Sequence, residues 1–338
     1  MLPGAGRAAD AAAPVPLAKQ AEWRLVNFAP DAGVQRRGIA DLAFEADGTA
    51  WFAVSDGVYR YDGYTWKRFT TADGLPGNFV RSVTVTAAGK VWVGTDRGAG
   101  TFDGRRFERH GADSQVAGPN VRRIVETRDG ALWFCCDRWP DATAAGGLTR
   151  LKDGQFRTWR TAEGLPSEHV LGLFEQSNGR LFVFTASGPA VLEGGRFVPF
   201  REPGFPAGDH TWSMVEAADG TLFAQGSEGI LRGRDGQWTE CARGADGKTR
   251  PLCLAADGVP VIVDKDVPER IVFARWDGAR FAPASTELSG HGLEAGDLKA
   301  APDGAIWSVG QGTILRWDGQ PGGLGSLAGA AAAGVGGP

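Results

Sequence analysis

The sequence predicts an all-β fold, a seven-bladed β-propeller in which an N-terminal strand closes the last blade. Three observations carry this: a first turn that occurs seven times, a second turn that also occurs seven times, and two chain ends that complement each other. The first turn has the form Asp-Gly-x-apolar-aromatic. Its glycines are Gly48, Gly89, Gly130, Gly179, Gly220, Gly258 and Gly304, spaced 41, 41, 49, 41, 38 and 46 residues apart. The second turn brings Gly63, Gly104, Gly154, Gly195, Gly236, Gly278 and Gly319. A fixed period in this range marks stacked or radial repeats.

Each repeat divides into four short strands. In the first, Ile39–Phe44 is strand A, Ala50–Val54 strand B, Val58–Tyr61 strand C and Thr65–Phe69 strand D. The Gly-containing pairs between A and B, and between C and D, suit hairpins that need positive φ. Sustained helical periodicity is absent. Four-stranded antiparallel units repeated around an axis leave only short, protected edges. The seventh repeat runs out after Trp317-Asp318-Gly319, without a strand D. Glu22–Phe28 (EWRLVNF) resembles the strand D segment Tyr64–Phe69 (YTWKRF) and is expected to supply it, pairing an otherwise open edge. The expected organisation is therefore a disordered segment 1–21, a propeller 22–319, and a Gly/Ala-rich disordered tail 320–338.

Composition narrows the function classes. A net charge of −4 over 338 residues gives no basic footprint, so nucleic acid is not an expected partner. No run of apolar residues is long enough to span a membrane. The first twenty residues place Arg7 and Asp10 where a signal peptide needs its apolar core, so none is read there. Cys135, Cys136, Cys241 and Cys253 form no CxxC pair, and no zinc site is expected from them. Cys135 and Cys136, adjacent on a strand, should face opposite ways.

Residues 47–80 (DGTAWFAVSDGVYRYDGYTWKRFTTADGLPGNFV) and 89–107 (GKVWVGTDRGAGTFDGRRF) resemble the two-component-regulator propeller repeat, as do 129–134 (DGALWF) and 161–170 (TAEGLPSEHV). The resemblance covers residues 22–319 and weakens in blades five and six. It implies an extracytoplasmic sensing module that binds a ligand, often carbohydrate-derived. The chain shows no immunoglobulin-like, kinase or DNA-binding segment after the repeats.

In a propeller the D–A and B–C loops share one face. Two B–C loops exceed the repeat length, Asp137–Gly146 in blade three and Asp264–Arg270 in blade six, and both decorate this face. Aligning the starts of the A strands places a ring of residues at the channel mouth. One register position reads Gly38, Phe79, Asn120, His169, His210, Lys248 and Glu294; the preceding one includes Arg37, Glu168 and Asp209. Two places beyond the first come Ala40, Arg81, Arg122, Leu171, Trp212, Arg250 and Gly296. The candidate ligand-binding residues are Arg37, Phe79, Arg81, Arg122, Glu168, His169, Asp209, His210 and Trp212. Arg37, Arg81 and Arg122 should face the pairs Glu168-His169 and Asp209-His210 across the opening. Arginines read carboxylates or phosphates, and Trp or Phe faces stack on sugars or flat rings. The acid–His pairs also suit a divalent metal or a general acid and base, against the plainer alternative of a solvated rim.

Two segments are set aside. Ala242–Thr249 (ARGADGKT) looks like a phosphate loop, but its first glycine is Ala and Pro251 follows, so no helix can start there. Asp264, Asp266 and Glu269 lack the glycine and ligand count of a calcium loop. No nucleophile elbow or catalytic triad is legible and no cofactor is required. The expected function is ligand binding, with a small molecule or oligosaccharide as partner. The alternatives are a lyase similar to the streptogramin lyases and a scaffold for another protein.

Overall fold

The computed structural model describes residues 38–110, 115–138, 143–206, 208, 210–243, 251–264, 270–284, 288–289, 296–310 and 313–317. They form seven antiparallel sheets. The A strands are Ile39–Phe44, Val80–Val85, Val121–Glu126, Val170–Glu175, Ser213–Glu216, Leu252–Leu254 and Asp297–Ala300. Each touches the next in order and the seventh touches the first, so the blades close a ring with the A strands innermost. The chain is a seven-bladed β-propeller.

In blade one, strands A and B have the limits expected from the sequence; strand C begins one residue early at Gly57 and strand D spans Trp66–Phe69. Blade six carries an extra short strand, Leu288–Ser289, paired with its strand C, Arg270–Trp276. Blade seven has three strands among the described residues, the outermost being Thr313–Trp317. The closing strand at Glu22–Phe28, the segment 1–21 and the tail 320–338 lie outside the described residues.

The recurrent tryptophans hold blade to blade. Trp51 of blade one is fully buried among Val80, Val83, Val91 and Phe107 of blade two. Trp92 packs with Val121, Ile124 and Phe134 of blade three, Trp133 with Val170 and Val183 of blade four, and Trp307 with Leu42 and Phe52 of blade one. Sheets alternate side chains between faces, and each blade thus gives one ring to each seam. Cys135 and Cys136 follow the same rule: Cys135 joins the seam toward blade four and Cys136 the seam toward blade two. Burial pushes the Cys136 thiol up to about 12 and Cys135 further in the same direction, so neither is a ready nucleophile.

The D–A connections that begin the mouth rest on glycine. Short 3₁₀ turns at Thr71–Asp73 and Thr161–Glu163 end at Gly74 and Gly164, both in the left-handed region. A Cβ on Gly74 would collide with the Phe107 carbonyl, and one on Gly164 with the Phe197 carbonyl. Only glycine meets both demands. The following Leu75 and Leu165 are buried.

Candidate functional site

A β-bulge builds the mouth. In blades one to four the pairing of strand A with strand B skips one residue near its start: Ala40, Arg81, Arg122 and Leu171. A bulge leaves its extra residue out of the ladder and re-aims its side chain. All four line one cavity of about 390 Å³, with Phe79, His169, Ala186, His210 and Trp212. The sequence alignment placed these residues in one ring, and the bulge is the reason they turn inward together. The volume lies within the usual range for small-molecule sites.

The candidate residues do not all converge. Phe79, Arg81, Arg122, His169, His210 and Trp212 share the cavity. Glu168 does not line it. Its carboxylate lies 3.7 Å from the Arg160 guanidinium and accepts from the Thr161 hydroxyl at 3.5 Å, because neighbours in extended chain diverge. The expected Glu168–His169 pair is thereby corrected. Arg37 and Asp209 lie outside the described residues, as do Lys248, Arg250 and Glu294. Among the described residues no three His, Cys, Asp or Glu side chains group as metal ligands.

The expectation that arginines face histidines across the opening also needs correction. Arg81 and Arg122 stand beside His169 around a carboxylate the sequence reading passed over. Asp137, the first residue after strand B of blade three, is fully buried. Its Oδ2 lies 3.2 Å from Arg81 Nη2, accepts from Arg122 Nη1 at 3.1 Å and lies 3.7 Å from His169 Nε2. The Asn120 amide donates to Oδ1, and the Asp137 backbone N–H donates to the Asn120 carbonyl at 3.1 Å. Arg81 Nη1 also donates to Asn120 Oδ1 at 3.4 Å. A buried carboxylate needs such partners to stay charged. The arginines have aromatic faces as well: the Arg122 guanidinium carbon is 5.6 Å from the Trp212 ring centre, and that of Arg81 is 5.9 Å from Phe79. Burial lowers the pKa of His169, which Asp137 partly offsets while Arg122 and Arg81 reinforce it; the imidazole is neutral at pH 7.

Asp137 was legible in principle. Aligning the position after strand B gives Ser55, Asp96, Asp137, Ala186 and Gly226, and it belongs to the same insertion that marked this face. Asp96 takes the equivalent place in blade two, but its carboxylate turns toward Gly77 and Arg97.

One residue deeper, a second ring fills the channel. Arg123 of blade three donates to Asp297 of blade seven at 3.2 Å. Those blades are not neighbours, so the bond crosses the channel. Gly172 of blade four lies beside this bond, where a Cβ would stand 3.8 Å from the Arg123 side chain and 3.3 Å from the Trp212 carbonyl oxygen. Lys299 lies 3.5 Å from Asp41, which also accepts from the backbone N–H groups of Leu42 and Val83. Asp41, Arg123 and Lys299 line a separate cavity of about 640 Å³ that reaches Glu126 and Pro302.

Residues 74–97 match the two-component regulator propeller family, so the chain carries that repeat. No match was found among curated protein sequences. Solved structures share the fold. The extracellular domain of the hybrid two-component system BT4673 of B. thetaiotaomicron is similar at 16% identity and a TM-score of 0.68, over 88% of this chain and 39% of that one. That of BT3049, from the same organism, is similar at 17% identity and 0.66, over 85% and 40%. The chain spans about 40% of the length of these domains. Virginiamycin B lyase of Staphylococcus aureus is similar at 13% identity and 0.65, over 88% of this chain and 98% of that one.

Proposed function

We propose that this propeller is a ligand-binding module of the sensing kind, working outside the cytoplasm, and that its ligand enters the mouth above Asp137. The observation that carries this is the convergence of two half-buried arginines, each against an aromatic ring, in one cavity. Arg81 and Arg122 supply charge and directional donors, while Trp212 and Phe79 supply flat apolar faces. Such a set suits an anionic ring compound, and a carbohydrate-derived acid fits both halves. The likeness to extracellular domains of two-component systems supports the location and the sensing role. The test replaces Arg81, Arg122 and Trp212 singly by alanine and titrates each variant with a panel of acidic glycans. Each variant is expected to bind at least tenfold more weakly. Wild-type affinity in all three would place the site elsewhere.

A second reading rests on His169 and His210 sharing that cavity in a chain similar in fold to a lyase. Acid–base chemistry there needs a group free to take a proton. His169 is neutral and within reach, but the nearby acid, Asp137, already serves two guanidiniums and an amide. Turnover of a lactone or glycan that is abolished by His169→Ala would establish this reading over simple binding.

A further inference from the structure

We infer that the seam between blades seven and one holds a second binding site, among the A–B turns on the face opposite the mouth, for a single aromatic ring that carries a hydrogen-bond acceptor. The site stands on residues the mouth does not use and is independent of what the mouth binds.

Blades one, three and seven share one turn between strands A and B. The backbone N–H of Glu45, Thr127 and Ala301 donates to the carbonyl four residues on, at 2.9, 2.9 and 2.8 Å, and each residue's own carbonyl accepts from the turn glycine. A B-strand tryptophan follows six residues later in all three. In two of them the first residue's side chain satisfies the indole: Trp51 Nε1 donates to Glu45 Oε1 at 2.7 Å and Trp133 Nε1 to Thr127 Oγ1 at 3.1 Å. Ala301 has no acceptor to offer. Among the described residues Trp307 Nε1 has no hydrogen-bond partner, although the residue is only 3% exposed. A buried donor left unpaired is both uncommon and costly.

The adjoining blade does not answer it. At three other seams a glutamate at the end of strand A reaches the turn of the blade before. Glu126 accepts from the Ala87 N–H at 2.6 Å, Glu175 from that of Arg128 at 2.8 Å and Glu216 from that of Ser177 at 2.6 Å. The aligned residues at this seam are Phe44 and Pro302, which bring neither a carboxylate nor an N–H. Between them lies a pocket of about 220 Å³, lined by Phe44, Ala301, Pro302 and Trp307. Asp47 and Asp303 also line it, each accepting from its own turn, at the N–H of Thr49 and of Ala305. An apolar cavity of about 150 Å³ takes a benzene ring, so this one takes a ring with a small substituent. The Phe44 and Trp307 rings, 5.5 Å between centres and tilted by 53°, give it aromatic surfaces to pack on. A water held at the indole needs two to four polar partners, and the side chains of Phe44, Ala301 and Pro302 supply none. A carbonyl or ether oxygen on an aromatic ring meets both demands. The ring covers the apolar walls, and the oxygen takes the place that Glu45 and Thr127 fill in their own blades.

Acetophenone and ethylbenzene test this directly, because they share a ring and differ in the carbonyl oxygen. Titrated into the ¹⁵N-labelled full chain at pH 7.5, acetophenone should shift the Trp307 indole N–H resonance and bind about tenfold more tightly than ethylbenzene. Ala301→Thr restores the acceptor that Thr127 provides in blade three. It should shift the same resonance without ligand and weaken acetophenone about tenfold. Trp307→Phe keeps a ring and removes the donor, so acetophenone should lose its advantage over ethylbenzene. If that variant fails to fold, Ala301→Thr decides, since the same turn carries threonine in blade three. A Trp307 resonance that acetophenone does not move overturns the site. Equal binding of the two compounds by the wild-type chain, or acetophenone binding that Ala301→Thr leaves unchanged, overturns the role of the unpaired indole and the inference with it. Acetophenone binding that is lost in Trp212→Ala would put the ring in the mouth and overturn the seam site as well.

Discussion

His169 lies 3.7 Å from a carboxylate, yet it titrates below its ordinary value, because burial outweighs Asp137 and the two arginines add to the burial effect. His110, tilted against Trp92 at 4.8 Å between ring centres, is lowered too, by burial first and then by Lys90. The sign of the consequence follows from proton counting. The unfolded chain takes up each proton near the ordinary histidine value of about 6.5, and the folded chain does so only at lower pH. Stability is therefore full above that value and falls as the pH drops through it, until the native histidines protonate as well. Denaturant titrations between pH 7.5 and 5.5 should show a decline that flattens in the double variant His110→Gln/His169→Gln. Asp41, whose buried carboxyl titrates above its ordinary value, acts in the opposite sense and is common to both proteins. An unchanged slope in the double variant would refute the assignment. At this same scale the sequence named Arg81, Arg122, His169 and Trp212 because they fall at two aligned register positions at the start of the A strands. It passed over Asp137 because only the A-strand register was aligned, and because burial of a charge is a property of the assembled blades.

Elements were legible where their chemistry is local. The hairpin glycines and alternating strands of blade one needed only their neighbours, and strand limits there agree to within a residue. The Gly-Leu-Pro connections were legible twice and missed once. Gly204-Phe205-Pro206 repeats the arrangement before blade five, with Gly204 at positive φ against the Trp238 carbonyl and Phe205 buried. The change of Leu to Phe hid it, although the physical requirement is the same: a left-handed residue without Cβ, then an apolar anchor. The β-bulges were not legible, since a one-residue skip depends on how strand B pairs. The glycine requirement yields a graded prediction. Gly89 has φ +76 with nothing near its absent Cβ, so Gly89→Ala should cost about 1–2 kcal/mol, the left-handed penalty alone. Gly164 has φ +97 and a carbonyl in the way, so Gly164→Ala should cost clearly more, about 3 kcal/mol or above. Equal losses in urea denaturation would mean that the Phe197 carbonyl moves aside freely.

At the scale of the whole molecule, the period of the repeat gave the number of blades, but no period reveals what lies across the channel. Arg123 and Asp297 are 174 residues apart, and only ring closure brings them to 3.2 Å. Apart from Arg122 of blade three against Trp212 of blade five at the mouth, the other blade contacts described above join neighbours, and a ring held by seams alone can open at any one of them. The Arg123–Asp297 bond ties blade three to blade seven, and Asp297 holds the Arg123 pKa above its ordinary value, with Asp41 adding to the effect. The pair is about 30% and 27% exposed, between a surface bridge and a buried one. Removing either partner should accordingly cost about 1–3 kcal/mol, more than a surface pair and less than a fully buried one. Asp297→Ala should be the milder loss, because Asp41 remains to attract the Arg123 guanidinium, whereas Arg123→Ala leaves the like charges of Asp297 and Asp41 facing each other. A double-mutant cycle measured by urea denaturation isolates the bond, and a coupling above about 0.5 kcal/mol is expected. The pair is partly shielded from solvent, so that coupling should persist, reduced, in about 1 M salt, where exposed pairs are screened out. A coupling indistinguishable from zero would leave the seams as the whole of the ring's cohesion.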